Sequence, residues 1–376
     1  MSPRDRSPFR LTRAPTRGLV ALAIATGTWA TGCSDCGRAP RSGSGEDAAP
    51  ASSMSAASTS SAAPGSSAIV DAPTGTAIVH GLGEPGSLAI DATHVYFADK
   101  ATGTVARVPH DGGEREILAT GREAPSQLAL SGADVVWLDG GGSLPSTEGG
   151  DASKRGVFAC SREKTPCTVR NVRAGTFVAL VAADGGLFLA EKLDPKRFAV
   201  SRVAGDELTR VGDHEGRAIA MTVDRANVYV ATFGAANKPK IVTVPRKAGA
   251  HQEVTFSGPG FNHLADDDDQ LLGTGIISHQ FGLFRVAKGA STTTLLAADV
   301  APGVFARHGD DVYFVSGADL TLRKVPRSGG AATVVGRLTG LDEPTALAIA
   351  DGWAYVSGKA AGDAGGSGAI LRLPVR

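Results

Sequence analysis

Short apolar runs alternate with Gly- and Asp-rich turns from Thr76 onward, and no helical apolar period is sustained anywhere between 76 and 376. The runs recur in sets, with a period of about 41 residues. Each set opens with a short apolar strand: 88–90, 128–130, 179–181, 220–223, 263–265, 304–306 and 346–349. A polar turn leads to a second strand at 95–99, 135–139, 187–191, 228–232, 271–275, 312–316 and 354–358. A third strand follows at 104–109, 156–161, 198–203, 240–245, 282–287, 321–326 and 369–374. Fourth strands follow only the first six sets, at 116–121, 168–173, 207–212, 253–258, 293–298 and 333–338. The missing one is found at the other end of the domain, as Thr76–Leu82. A radial array of sheets must close into a ring, and a blade built from both ends closes it without a covalent bond. Four-stranded units of this length predict an all-β fold, a β-propeller of seven blades whose last blade is closed by the N-terminal strand.

The first 75 residues follow a different pattern. Five Arg stand before residue 18 (Arg4, Arg6, Arg10, Arg13, Arg17), and an apolar stretch runs from Leu19 to Ala30. That stretch is shorter than the roughly 20 residues needed to span a bilayer as a helix. A basic start, a short apolar middle and small residues before a break predict a secretory signal over 1–32. The break, Ala30-Thr31-Gly32-Cys33, resembles a bacterial lipobox. That resemblance implies a lipoprotein with Cys33 as its acylated first residue. Ser34 in the next position implies sorting to the outer membrane, and hence a lipid-anchored protein of the cell envelope. Residues 33–75 then read as a lipidated tether, because a Ser/Ala/Gly/Pro segment cannot bury enough apolar surface to fold. Its flexible part, about 39 residues, has an r.m.s. reach of roughly 35 Å. Residues 76–376 form the propeller domain. Removing 1–32 leaves 33 basic and 37 acidic residues, a mild negative balance that predicts no nucleic-acid partner.

Val95-Tyr96-Phe97-Ala98-Asp99, followed by 103–113, is similar to propeller repeats of the Tyr-Trp-Thr-Asp type. First strands preceded by Pro85, Pro125 and Pro344 resemble repeats of the NHL and streptogramin-lyase-like propellers. The Tyr-Trp-Thr-Asp resemblance implies a structural hydrogen-bonding role for Asp99, and by position for Asp139 and Glu191. The framing residues of WD repeats are absent.

Candidate chemistry is sparse. Cys160 and Cys167 bracket a third-to-fourth strand turn, where hairpin geometry permits a bridge, and an exported protein meets oxidising conditions. A structural disulfide is predicted. The same blade carries a Gly/Ser-rich insertion at 140–156, either a surface insertion or a binding loop. His94, His110 and His308 align with polar turn positions of other units. His263 differs: it aligns with Ser87, Gln127 and Ala179 at the start of an innermost strand, where it could border the channel mouth and meet a ligand. Asp266–Asp269 lacks the spacing of a calcium loop and reads as a solvated acidic turn, so no metal or cofactor is predicted. No nucleophile elbow, phosphate loop or zinc motif occurs in the repeats. Two functions follow: an envelope-anchored module binding a protein, glycan or small molecule, or a lyase or hydrolase of the NHL/streptogramin-lyase-like kind. The first is favoured, because a catalytic site would draw polar groups from several blades.

Overall fold

The computed structural model describes residues 72–140, 154–234, 238–247, 250–255, 259–277, 280–360 and 367–375. The signal segment, Cys33, the tether to residue 71, and 141–153 of the insertion lie outside the described residues. The described chain contains 28 strands, β1 to β28 in sequence order, grouped as seven four-stranded antiparallel sheets.

Blade 1 is β2 (Pro85–Ile90), β3 (His94–Asp99), β4 (Thr104–Pro109) and β5 (Glu116–Ala119). Blade 2 is β6 (Ser126–Ser131), β7 (Asp134–Asp139), β8 (Gly156–Ser161) and β9 (Arg170–Ala174). Blade 3 is β10 (Phe177–Ala183), β11 (Gly186–Asp194), β12 (Arg197–Ala204) and β13 (Glu207–Glu215). Blade 4 is β14 (Arg217–Val223), β15 (Asn227–Phe233), β16 (Pro239–Pro245) and β17 (Gln252–Thr255). Blade 5 is β18 (Phe261–Asp267), β19 (Gln270–Ile277), β20 (Gln280–Ala287) and β21 (Thr294–Ala298). Blade 6 is β22 (Val300–His308), β23 (Asp311–Ser316), β24 (Thr321–Pro326) and β25 (Thr333–Arg337). Blade 7 is β26 (Leu341–Ala350), β27 (Trp353–Ala360), β28 (Gly368–Pro374) and, as its outermost strand, β1 (Thr76–Leu82).

The innermost strands touch in succession, β2 to β6, β10, β14, β18, β22 and β26, and β26 returns to β2, so the ring is closed. The predicted offset is what closes it. β1 pairs antiparallel with β28, Thr76 opposite Arg372 and Leu82 opposite Gly368. Val79 and Leu82 join Leu88 and Phe97 of blade 1 and Ile370 of blade 7 in one buried cluster. The closing segment also reaches a third blade. Arg337 N donates to Pro73 O and Gly75 N donates to Arg337 O, which lays residues 73–75 along β25 of blade 6. Gly336 permits this approach, since a Cβ there would stand 2.6 Å from Leu373 Cδ1's partner methyl Cδ2 and 2.9 Å from Pro73 O.

The core lies between blades rather than inside any one sheet, because each sheet buries both faces against its neighbours. Second strands therefore read as unbroken buried runs, as in β3 and β7, where every residue after the first is buried. Every innermost strand has a break in its pairing register near its N-terminal end, a bulge that bends the strand beside the channel. One face of the ring, called lower here, carries the turns from innermost to second strand and from third to outermost strand. The upper face carries the second-to-third connections and the blade crossings.

Candidate functional site

The channel-side ends of the innermost strands are where propeller ligands are expected, and the polar groups there join neighbouring blades. Ser87 Oγ accepts from Leu128 N at 2.9 Å, linking blades 1 and 2. Gln127 links blades 2 and 3: its Nε2 donates to Val178 O at 2.9 Å and its Oε1 accepts from Leu180 N at 3.0 Å. It does so with φ at 36°, a backbone state that a non-glycine residue holds only when its surroundings enforce it. Thr345 Oγ1 donates to Pro85 O at 2.7 Å, and Ser357 Oγ donates to Gly86 O at 2.9 Å, across the junction of blades 7 and 1.

His263 belongs to the same set. Its side chain is buried, and its Nδ1 lies 3.2 Å from Thr274 Oγ1 on β19. Thr274 Oγ1 in turn accepts from Gly303 N of blade 6 at 3.1 Å. Gly303 has φ of 71°, and a Cβ there would stand 2.4 Å from the imidazole. The histidine is thus held in the contact between blades 5 and 6.

A second set of junctions lies on the lower face, and sequence reading missed it as a set. An acid in the innermost turn of one blade meets a base at the end of the third strand of the next. Asp91 pairs with Arg162 at 2.8 Å, Asp184 with Arg246 at 2.5 Å, Asp224 with Lys288 at 2.7 Å and Asp268 with Arg327 at 3.0 Å. Asp351 and His110 stand 3.8 Å apart across the closure. At the two remaining junctions both partners are replaced together: Ser131 faces a blade with Gly205 at the basic position, and His308 one with Val375. Arg246 and Arg327, which follow third-strand prolines, are therefore the basic halves of blade-to-blade pairs, and His110 holds the same polar turn position facing Asp351 of blade 7.

The base also covers an aromatic ring on the second strand of the acid's blade. Arg162 stands 6.0 Å from the Tyr96 centroid, Arg246 4.8 Å from Phe188, and Lys288 Nζ 5.0 Å from Tyr229. At two junctions the tyrosine completes the arrangement. Tyr96 Oη donates to Asp91 Oδ2 at 2.8 Å, and Tyr229 Oη to Asp224 Oδ2 at 2.9 Å. Burial alone would raise the Asp91 carboxyl; the N–H groups of Thr93 and His94 and the Tyr96 hydroxyl overcome that and hold it at about 2.

Asp266–Asp269 is a solvated turn only at Asp268 and Asp269, which are exposed. Asp267 is fully buried, with Arg307 at 3.0 Å and Arg327 at 3.4 Å. Asp266 pairs with Lys288 at 2.6 Å, and Asp268 with both arginines. Burial raises the Asp267 carboxyl in spite of Arg307 and Arg327. Asp266, Asp267 and Asp268 are thus paired with cations of the protein itself, and no group of three or more His, Cys, Asp or Glu suited to a metal occurs among the described residues.

Asp99 and Asp139 hold the crossings into their own blades. Asp99 accepts from Gly83 N at 2.9 Å and Glu84 N at 2.8 Å. Asp139 accepts from Ala124 N at 2.9 Å and pairs with Arg122 at 2.5 Å. Arg122 also stacks on Phe158, 4.1 Å from its centroid. Cys160 and Cys167 are disulfide-bonded, with Cα atoms 5.7 Å apart. The bridged turn lies against blade 1: Cys167 N donates to Leu118 O, Thr165 Oγ1 to Glu116, and Arg107 to Arg162 O.

No family model matches this chain, and no curated protein matches it. Solved structures do. A puromycin-hydrolyzing peptidase of Mycobacterium tuberculosis aligns at 15% identity and TM-score 0.52, over 76% of this chain and 52% of that one. A streptogramin B lyase aligns at 11% identity and TM-score 0.51, over 79% of this chain and 96% of that one. Apo AztD from Citrobacter koseri aligns at 13% identity and TM-score 0.48, over 77% and 83%. At these identities the first two alignments show a shared fold and nothing finer.

Proposed function

We propose that this chain is an envelope-anchored binding module: Cys33 carries lipid, residues 33–75 form a tether, and the propeller presents its loops to a protein, glycan or small molecule. One observation carries the reading. The polar side chains at the channel ends of the innermost strands, Ser87, Gln127, His263 and Thr345, are engaged in hydrogen bonds within and between blades. That arrangement favours a rigid ring whose loops do the recognising. The longest second-to-third connection, 140–156 in blade 2, is the loop we assign to ligand contact.

Two measurements test this. Labelled palmitate should enter the wild-type chain, and Cys33→Ala should lose the label and leave the membrane pellet; an unlabelled wild type removes the anchor. Replacing 141–153 by a two-residue turn should leave Tm unchanged and abolish in-cell cross-links formed by the wild-type head. Unchanged cross-links would refute the loop assignment. Turnover of a lactone or amide substrate by the purified wild type would favour a lyase or hydrolase instead.

A further inference from the structure

The junction of blades 7 and 1 repeats the Tyr–base arrangement of blades 1 and 4 without its carboxylate. Ala350 stands opposite Trp353 in the strand pairing, as Asp91 stands opposite His94 and Asp224 opposite Asn227. Tyr355 corresponds to Tyr96 and Tyr229. It is fully buried, and its hydroxyl faces the Arg372 guanidinium, which only donates, and is bonded by no carboxylate. His110 occupies the clasp position of Arg162 and Lys288, 5.5 Å from the Tyr355 ring, and its Nε2 is buried without a partner.

A second acid is missing at the same place. In blade 1, Arg107 sits opposite Tyr96 and is bonded by Glu116 of β5 at 2.6 Å. In blade 7 the equivalent Arg372 sits opposite Tyr355, but the outermost strand places Thr76 where β5 has Glu116. Arg372 Nε is buried without a partner, and its guanidinium lies 3.6 Å over Trp353. Two carboxylates that satisfy these donors in blade 1 have thus been exchanged for Ala and Thr, while the donors remain. Leaving buried donors unsatisfied is unfavourable, so an outside acceptor is favoured there.

We infer that Tyr355, Arg372 and His110 form a carboxylate-binding site on the lower face at the 7/1 junction, in which a ligand carboxylate takes the part that Asp91 plays at the 1/2 junction. This inference is independent of the lipid anchor and of the loop at 140–156. The nearby Asp351, 70% exposed and 3.8 Å from His110, sits one residue further along the turn from Ala350 and does not bond the tyrosine. The carboxylate is that of a small acid or peptide in solution.

The experiment uses the full chain with ¹³C-acetate as probe, read by saturation-transfer NMR and by Tm. Acetate at tenfold its Kd should raise the wild-type Tm by about 3 °C relative to chloride at equal ionic strength. Ala350→Asp, which supplies the carboxylate internally, should raise Tm by itself and abolish the acetate response. Tyr355→Phe should weaken acetate binding at least several-fold. No response in the wild type, or an equal response in the wild type and Ala350→Asp, overturns the proposal.

Discussion

Leu82→Ala on the closing strand tests how the ring is held. Leu82 is fully buried and packs with Leu88 and Phe97 of blade 1 and Ile370 of blade 7. β1 runs on through Gly83 and Glu84 into blade 1 but is held to β28 only by strand pairing and packing, so this side chain helps fasten the strand that closes blade 7. Truncating a fully buried Leu to Ala removes its transfer free energy and leaves a cavity, about 3 kcal/mol within a usual range of roughly 2–5. For a domain of this size that is a fall in Tm of roughly 8 °C. Leu118→Ala is the control. Leu118 is equally buried, but on β5, an outermost strand continuous in sequence with its own blade. Urea unfolding followed by tryptophan fluorescence reports on both, through Trp137 in blade 2 and Trp353 beside the closure. The two variants should lose similar stability, and only Leu82→Ala should accelerate hydrogen exchange in β28. A loss below about 1 kcal/mol for Leu82→Ala, with the full loss for Leu118→Ala, would show that β1 contributes little to the folded ring.

Three further outcomes are expected. Asp99→Ala leaves the N–H groups of Gly83 and Glu84 without their acceptor and should destabilise the domain by about 2–4 kcal/mol in the same urea assay; Asp99→Asn should recover part of that. His214 is buried against Phe198 and His251, and burial depresses its imidazole to about 4. The unfolded chain then binds more protons between pH 6.5 and 4, so stability should be flat above 6.5 and fall by about 3 kcal/mol as pH drops across that window. His214→Phe should flatten this part of the profile, and an unchanged profile would assign the loss to other groups. The double variant Cys160→Ser, Cys167→Ser should stay folded but free the 161–169 turn from β5, seen as faster proteolysis there; protection equal to wild type would show that the disulfide is dispensable to that contact.

The sequence alone determined the architecture. Strand periodicity, Asp/Gly turns and the displaced fourth strand set the blade number, the strand positions and the manner of closure, because each of these is local or repeats down the chain. The pairing of Cys160 with Cys167 was equally legible, since eight residues of hairpin leave few alternatives. What the histidines and aspartates do was decided only by the tertiary structure. His263 looked like a channel residue because alignment fixes its strand and height, but burial between blades 5 and 6 depends on Thr274 and Gly303, 11 and 40 residues away in sequence. Asp267 looked solvated because its neighbours are acidic; its cations, Arg307 and Arg327, come from the next blade. The lower-face clasps join residues about 60 to 70 positions apart, a blade and a half of chain. Their signature was nonetheless in the repeats, as acids and bases present or absent together at successive junctions. It became readable only once the ring showed which blade faces which, because a pairwise charge contact is a property of two surfaces and a repeat describes one.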